Sequence, residues 1–306
     1  MGLFFQIFSS AALISLGLYH LICTTRNYLK SPHSYIAKPY YPLSSSNRFK
    51  YLQLYLLILC LLIALVHQTL ISSYSDPLLK GSTPVHRFTS LQSAAVLFLF
   101  LILSLSLLLS DSTSLLPLPS DLFFALASAV FFLQSSSSSS SASVQTSDLQ
   151  SKCDSISAQI SGLSAVLCLI LACQPRMFVA DVGLGGAVCL QGLWMLQTGL
   201  SLYAEAFIPD GCHKLLDVVS GVEGSTKCDL EDSRLRAVAI LDLVFVVHVM
   251  FVVLIVMVIY GVVAKTFGVG VRKLGGSYEA LPTTASSAAD SSSNHFQMKA
   301  LTGTQA

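Results

Sequence analysis

Ala237–Ala264 reads AVAILDLVFVVHVMFVVLIVMVIYGVVA, with Asp242 as its single charge. A helix needs about 20 mostly apolar residues to cross the hydrocarbon of a bilayer, and this run is long enough. Strands do not explain it. The apolar run is continuous, whereas a membrane strand belongs to a closed barrel and alternates. Working outward, the same pattern recurs at 182–203, 156–174, 90–110, 51–71 and 3–23. A further span at 118–137 is weaker. Leu122–Gln134 is apolar, but the serine run Ser135–Ser141 follows at once, so full length requires Leu118, Pro119 or some of those serines. The expected fold is an all-α integral membrane bundle of seven helices, or six if the fourth does not span. Composition agrees. Of 306 residues 53% are hydrophobic and 11% charged, against about 25% charged in soluble domains. That disfavours a soluble enzyme, a disordered chain and a nucleic-acid binder.

The chain then divides into a transmembrane domain over 1–265, a Ser-rich flexible linker over 135–155 within it, and a disordered tail over 266–306. The first span is expected to be retained rather than cleaved as a signal peptide. Its first basic residue, Arg26, follows the apolar run instead of preceding it. The loop from Thr24 to Lys50 holds Arg26, Lys30, Lys38, Arg48 and Lys50 and no acid. By the positive-inside rule that loop faces the cytosol, so the N-terminus is lumenal or extracellular and the tail cytosolic.

Ionisable residues inside spans are functional suspects by default. His67, Gln197 and Asp242 lie at roughly 6, 9 and 7.5 Å from one membrane face at 1.5 Å per residue, so they form a candidate polar layer. The competing explanation is interhelical glue, worth about 0.6 kcal/mol per hydrogen bond. His20, His67 and His248 sit at three depths, which disfavours haem. The zinc-binding spacings of Cys and His are absent, so neither metal nor cofactor is expected. Gly185, Gly192 and Gly199 recur every seven residues and present a face without side chains, read as a packing seam, with a hinge or substrate groove as the rival.

Cys60, Cys168 and Cys189 fall inside spans as small apolar fillers, and Cys23 and Cys173 at cytosolic helix ends. Cys212 and Cys228 share the long acidic loop before the last span and are a disulfide candidate, closing a loop worth about 3 kcal/mol. Two free thiols, or Cys153 as a partner of either, are the alternatives. In the tail, Tyr278-Glu279-Ala280-Leu281 fits a Tyr-x-x-bulky sorting signal, with Tyr278 and Leu281 as its anchors.

Gly17-Leu18-Tyr19-His20 in the first span looks like a Gly-Leu-aromatic-His motif. Leu190-Gln191-Gly192-Leu193-Trp194-Met195-Leu196-Gln197-Thr198-Gly199 in the sixth looks like a Leu-Gln-Gly-x-Trp-x-x-Gln-x-Gly pattern. With the Leu-Pro-Leu-Pro-Ser-Asp stretch ending at Asp121, and with His248, these resemble the transmembrane protein 45 family, a plant and animal group. The resemblance covers nearly all of residues 1–265. It implies a seven-helix, multi-pass protein without established catalysis, placed in Golgi or endosomal membranes or at the plasma membrane, with relatives described in virus or stress responses. It also implies an intramembrane Glu and several His between helices four and five. Here Phe132 and the serine run occupy those positions, and Gln92 stands where the family often has His.

The functional expectation is a non-enzymatic membrane protein acting through protein partners in trafficking, stress or defence, surrounded by lipid and without nucleic acid. The alternative is a small-solute or ion transporter or channel using His67, Gln197 and Asp242.

Overall fold

The computed structural model describes residues 2–42, 50–74, 85–113, 117–145, 147–214 and 226–266. Its helices are α1 (Gly2–Lys30), α2 (Leu52–Tyr74), α3 (Val85–Ser112), α4 (Ser120–Val144), α5 (Asp148–Cys173), α6 (Phe178–Tyr203) and α7 (Glu231–Thr266). All seven are long and apolar enough to cross a membrane. The fold is thus an all-α multi-pass bundle. α7 is dense in Val and Ile, which are mediocre helix formers in water. In lipid a helix satisfies every backbone group internally, so that preference is overridden.

The fourth helix is long and apolar enough to span, and the serine run supplies its length. Residues 135–144 are helix, which corrects the linker expectation. Ser135 Oγ donates to the Ala158 carbonyl at 2.7 Å, and Ser128 Oγ to the Ala165 carbonyl at 2.8 Å. Ser137 is 1% exposed and faces Ser93 of α3. Small side chains let two backbones approach, and the Ser128 and Ser135 hydroxyls find carbonyls across the interface. α5 likewise starts earlier than its apolar run, at Asp148, with the Ser147 side chain accepting from the Gln150 amide.

Consecutive helices run antiparallel. α1 lies against α6 along the glycine seam, and α5 touches both α4 and α6. A Cβ on Gly17 would sit 2.5 Å from Cys189 Sγ and 2.9 Å from the Gly185 carbonyl oxygen. On Gly192 it would meet Ile14 at 2.8 Å, and on Gly199 the Gln6 side chain at 2.8 Å. Only hydrogen fits at these crossings. Trp194 is the largest fully buried side chain and anchors a core shared by α1, α5, α6 and α7. α2 and α7 bury little of their surface, as suits lipid-facing helices.

Beyond α6, β1 (Cys212–Lys214) pairs antiparallel with β2 (Thr226–Cys228), Cys212 opposite Cys228. Those two cysteines form a disulfide that packs on the core of α5 and α7. Cys153, the other candidate partner, is a free thiol buried in that core. Gly211, just before β1, has φ +83, a conformation that favours glycine.

Candidate functional site

The residues after α1 form a strap across one end of the bundle. A short 3-10 turn, Pro32–Ser34, leads into an extended stretch in which Tyr35 and Ala37 are buried while Ile36 and Lys38 are exposed. That is the period-two alternation of an extended chain lying on a surface. The strap is pinned at several points. The Ala37 amide donates to the Pro175 carbonyl in the α5–α6 turn at 2.7 Å. Tyr40 Oη donates to Asp111 of α3 at 2.5 Å. Tyr19 Oη of α1 donates to the Tyr41 carbonyl at 3.1 Å.

Under the strap lies Asp181, in the first turn of α6 and 0% exposed. A carboxylate is favoured there by the unpaired amides and dipole of the helix start. Its Oδ1 accepts from His20 Nε2 of α1 at 2.7 Å. Its Oδ2 accepts from the Tyr35 hydroxyl and, at 3.3 Å, from Thr24 Oγ1. Tyr41 completes the cluster: its ring meets His20 edge-on, and its hydroxyl accepts from Thr24 Oγ1 at 3.4 Å. Tyr28 stacks on Phe178 and meets Tyr35 edge-on, sealing the side of the cluster.

Burial, and then the neighbouring Asp181 charge, raise the Tyr35 hydroxyl well above the ordinary phenol range. The same causes in the same order push Tyr41 up to about 12. Burial and then the hydrogen bond to Asp111 raise Tyr40. All three phenols therefore keep their protons at physiological pH, and Tyr35 and Tyr40 donate them to carboxylates. Lys50 is held above its usual value by hydrogen bonds to Tyr51 and Asp111, and pairs with Asp111 at 3.1 Å.

The structure gathers His20 into a site that the sequence did not suggest, because Asp181 stands one residue outside the apolar run 182–203. The available signal was spacing. Asp181 lies four residues before Gly185, on the same α6 face that receives α1.

His67, Gln197 and Asp242 are not joined to one another by any hydrogen bond or ion pair among the described residues, and each keeps a separate contact. Asp242 pairs with Lys152 of α5 at 2.7 Å. Gln197 Nε2 donates to Ser201 Oγ of its own helix at 3.0 Å. His67 stacks on Phe5 with ring centroids 3.7 Å apart, and its Nδ1 has no hydrogen-bond partner among the described residues. Shared depth fixes a level along the membrane normal, but not the direction in which each helix presents a side chain.

The motif residues serve packing. Gln191 Nε2 donates to Ser157 Oγ at 2.7 Å, and Trp194 Nε1 to the Cys153 carbonyl at 3.0 Å, both joining α6 to α5. His248 Nδ1 donates to the Val244 carbonyl at 2.7 Å, with its ring edge-on to Trp194. Asp121 is exposed in the first turn of α4 and accepts from Ser120 Oγ at 3.3 Å. Among the described residues no three His, Cys, Asp or Glu side chains group as a metal site. Tyr278 and Leu281 lie outside the described residues.

Residues 120–261, from α4 through most of α7, match a family described as "Family of unknown function (DUF716)". The matched segment holds Asp181, Gln191, Trp194 and His248, while Gly17 and His20 precede it. Comparison with curated proteins finds no significant match.

Proposed function

We propose that this chain is a non-enzymatic multi-pass protein of endomembranes, related to the transmembrane protein 45 group, acting through protein partners in trafficking or in stress and defence responses. One observation carries the reading: both carboxylate oxygens of Asp181 are engaged by His20, Tyr35 and Thr24. A buried charge whose lone pairs are answered inside the protein fixes structure rather than waiting for a substrate. Here it locks the strap to α1 and α6 and gives that end of the bundle a defined outer surface. The basic first loop supports a cytosolic strap, a lumenal or extracellular N-terminus and a cytosolic tail. Transport would rest on His67, Gln197 and Asp242, which stand in three separate contacts.

Proximity labelling from a tag fused to the tail, with fluorescent localisation, tests this. The wild type labels a reproducible set of trafficking proteins, and Tyr278→Ala or Leu281→Ala moves the protein toward the cell surface. An unchanged distribution of both variants, with a labelled set no different from that of an unrelated membrane protein, would overturn it. An epitope inserted at Ser45 tests the orientation. It is stained once the plasma membrane alone is permeabilised, and staining only after the endomembranes are opened reverses the topology.

A further inference from the structure

We propose that the outer face of the strap binds the headgroup phosphates of anionic phospholipids in the surrounding leaflet. Lys30 at the end of α1, Lys38 on the strap and Arg176 in the α5–α6 turn are all exposed, and none makes an ion pair among the described residues. The bond from the Ala37 amide to the Pro175 carbonyl ties the segments carrying Lys38 and Arg176 together, so the two cations are held near one another rather than on independent loops. Apolar side chains on the same two segments are exposed beside them: Ile36 is 46% exposed and Met177 39%. Apolar side chains interleaved with cations suit the headgroup level of a bilayer, where the chain sinks its hydrocarbon and leaves its charge at the phosphates.

The acids at this end do not cancel that charge. Asp181 is buried under the strap, Asp111 is engaged by Lys50 and Tyr40, and Asp121 lies at the start of α4 beside Ser120. Juxtamembrane cations attract anionic lipid, each worth about fivefold in local enrichment. Because the strap is pinned at Asp181, Pro175 and Asp111, its backbone loses little freedom on binding. The inference rests on the membrane-spanning reading but not on the tail. Its failure would leave the redistribution of the Tyr278 and Leu281 variants untouched.

Full-length protein in phosphatidylcholine liposomes, with spin-labelled phosphatidylserine or spin-labelled phosphatidylcholine as probe, tests it. Electron paramagnetic resonance reads the immobilised fraction of each lipid. The wild type should immobilise phosphatidylserine several-fold in preference to phosphatidylcholine. The triple variant Lys30→Gln, Lys38→Gln, Arg176→Gln should bring that ratio close to one without lowering the melting temperature. If the variant fails to fold, salt on the wild type replaces it: about 1 M shortens the Debye length to about 3 Å and should remove the preference. Equal immobilisation of both lipids by the wild type overturns the proposal, as does a preference unchanged in the folded triple variant or in high salt. Suppression by millimolar inorganic phosphate at constant ionic strength would indicate a free-anion site and overturn it too.

Discussion

His20 Nε2 lies 2.7 Å from Asp181 Oδ1, joining the C-terminal half of α1 to the first turn of α6, beside the point where Gly17 meets Gly185. The close helix crossing and the buried polar pair occupy adjacent turns of the same two helices. The glycines allow the approach, and the pair fixes the register.

Loss of Asp181 should therefore be severe. Asp181→Ala strands the His20, Thr24 and Tyr35 donors and should cost about 3 to 5 kcal/mol, the usual range for breaking a buried pair. In detergent, Asp181→Asn and His20→Ala should be coupled by about 1 kcal/mol or more in a double-mutant cycle of thermal unfolding. Additive losses would separate the two residues.

The glycine seam predicts a graded series. Gly17→Ala, Gly192→Ala and Gly199→Ala each place a methyl closer than 3.0 Å to a neighbour. Overpacking of this kind costs about 1 to 3 kcal/mol. Gly261 on α7 has nothing within 4 Å of such a methyl. Gly261→Ala should be neutral or slightly stabilising by the same thermal assay.

Asp242 should answer to Lys152 and not to His67. The Lys152–Asp242 pair is partly exposed, so its coupling should be small, about 0.2 to 1 kcal/mol, in a cycle of Asp242→Asn with Lys152→Gln. Asp242→Asn with His67→Ala should be additive.

Alkali should loosen the strap. Tyr35 and Tyr41 hold their protons more tightly folded than unfolded, where a phenol titrates near 10. Their contribution is complete below about pH 10 and is lost as pH rises from there through about 12, because only the unfolded chain then gains by ionising. Unfolding temperature should fall across that window, and Tyr35→Phe with Tyr41→Phe should flatten the fall.

Reduction tests the loop between α6 and α7. Cys212 and Cys228 should appear as one linked peptide in non-reduced, alkylated protein, and Cys212→Ser with Cys228→Ser should cost about 3 kcal/mol. Both thiols found alkylated in protein from intact membranes would reject the bridge and weaken the orientation.

Much of this architecture could be read from hydropathy, because in lipid a long apolar run has few alternatives to a helix. The seam at Gly185, Gly192 and Gly199 was legible for a similar reason, since a seven-residue period stays on one helix face. The serines from Ser135 to Ser141 misled because a polar run signals a linker in water. Against α5 the first of them, Ser135, donates to the Ala158 carbonyl across a close helix contact, as Ser128 does to the Ala165 carbonyl earlier on α4. The candidate site was mostly hidden. His20 stood out as an ionisable residue within a span, but Asp181 sits at a span boundary, and Tyr35 and Tyr41 lie in a loop whose basic residues dominate its reading. Nothing in a single sequence announces which carboxylate a loop tyrosine will reach.

Hydrogen–deuterium exchange of the full-length protein in nanodiscs, followed over the peptide covering Tyr35–Tyr41, tests the strap lock most directly. The Ala37 amide, bonded to the Pro175 carbonyl, should exchange slowly in the wild type and rapidly in Asp181→Ala, while α4 and α5 peptides stay protected in both. Rapid exchange of that peptide in the wild type, or slow exchange that persists without Asp181, would contradict the account.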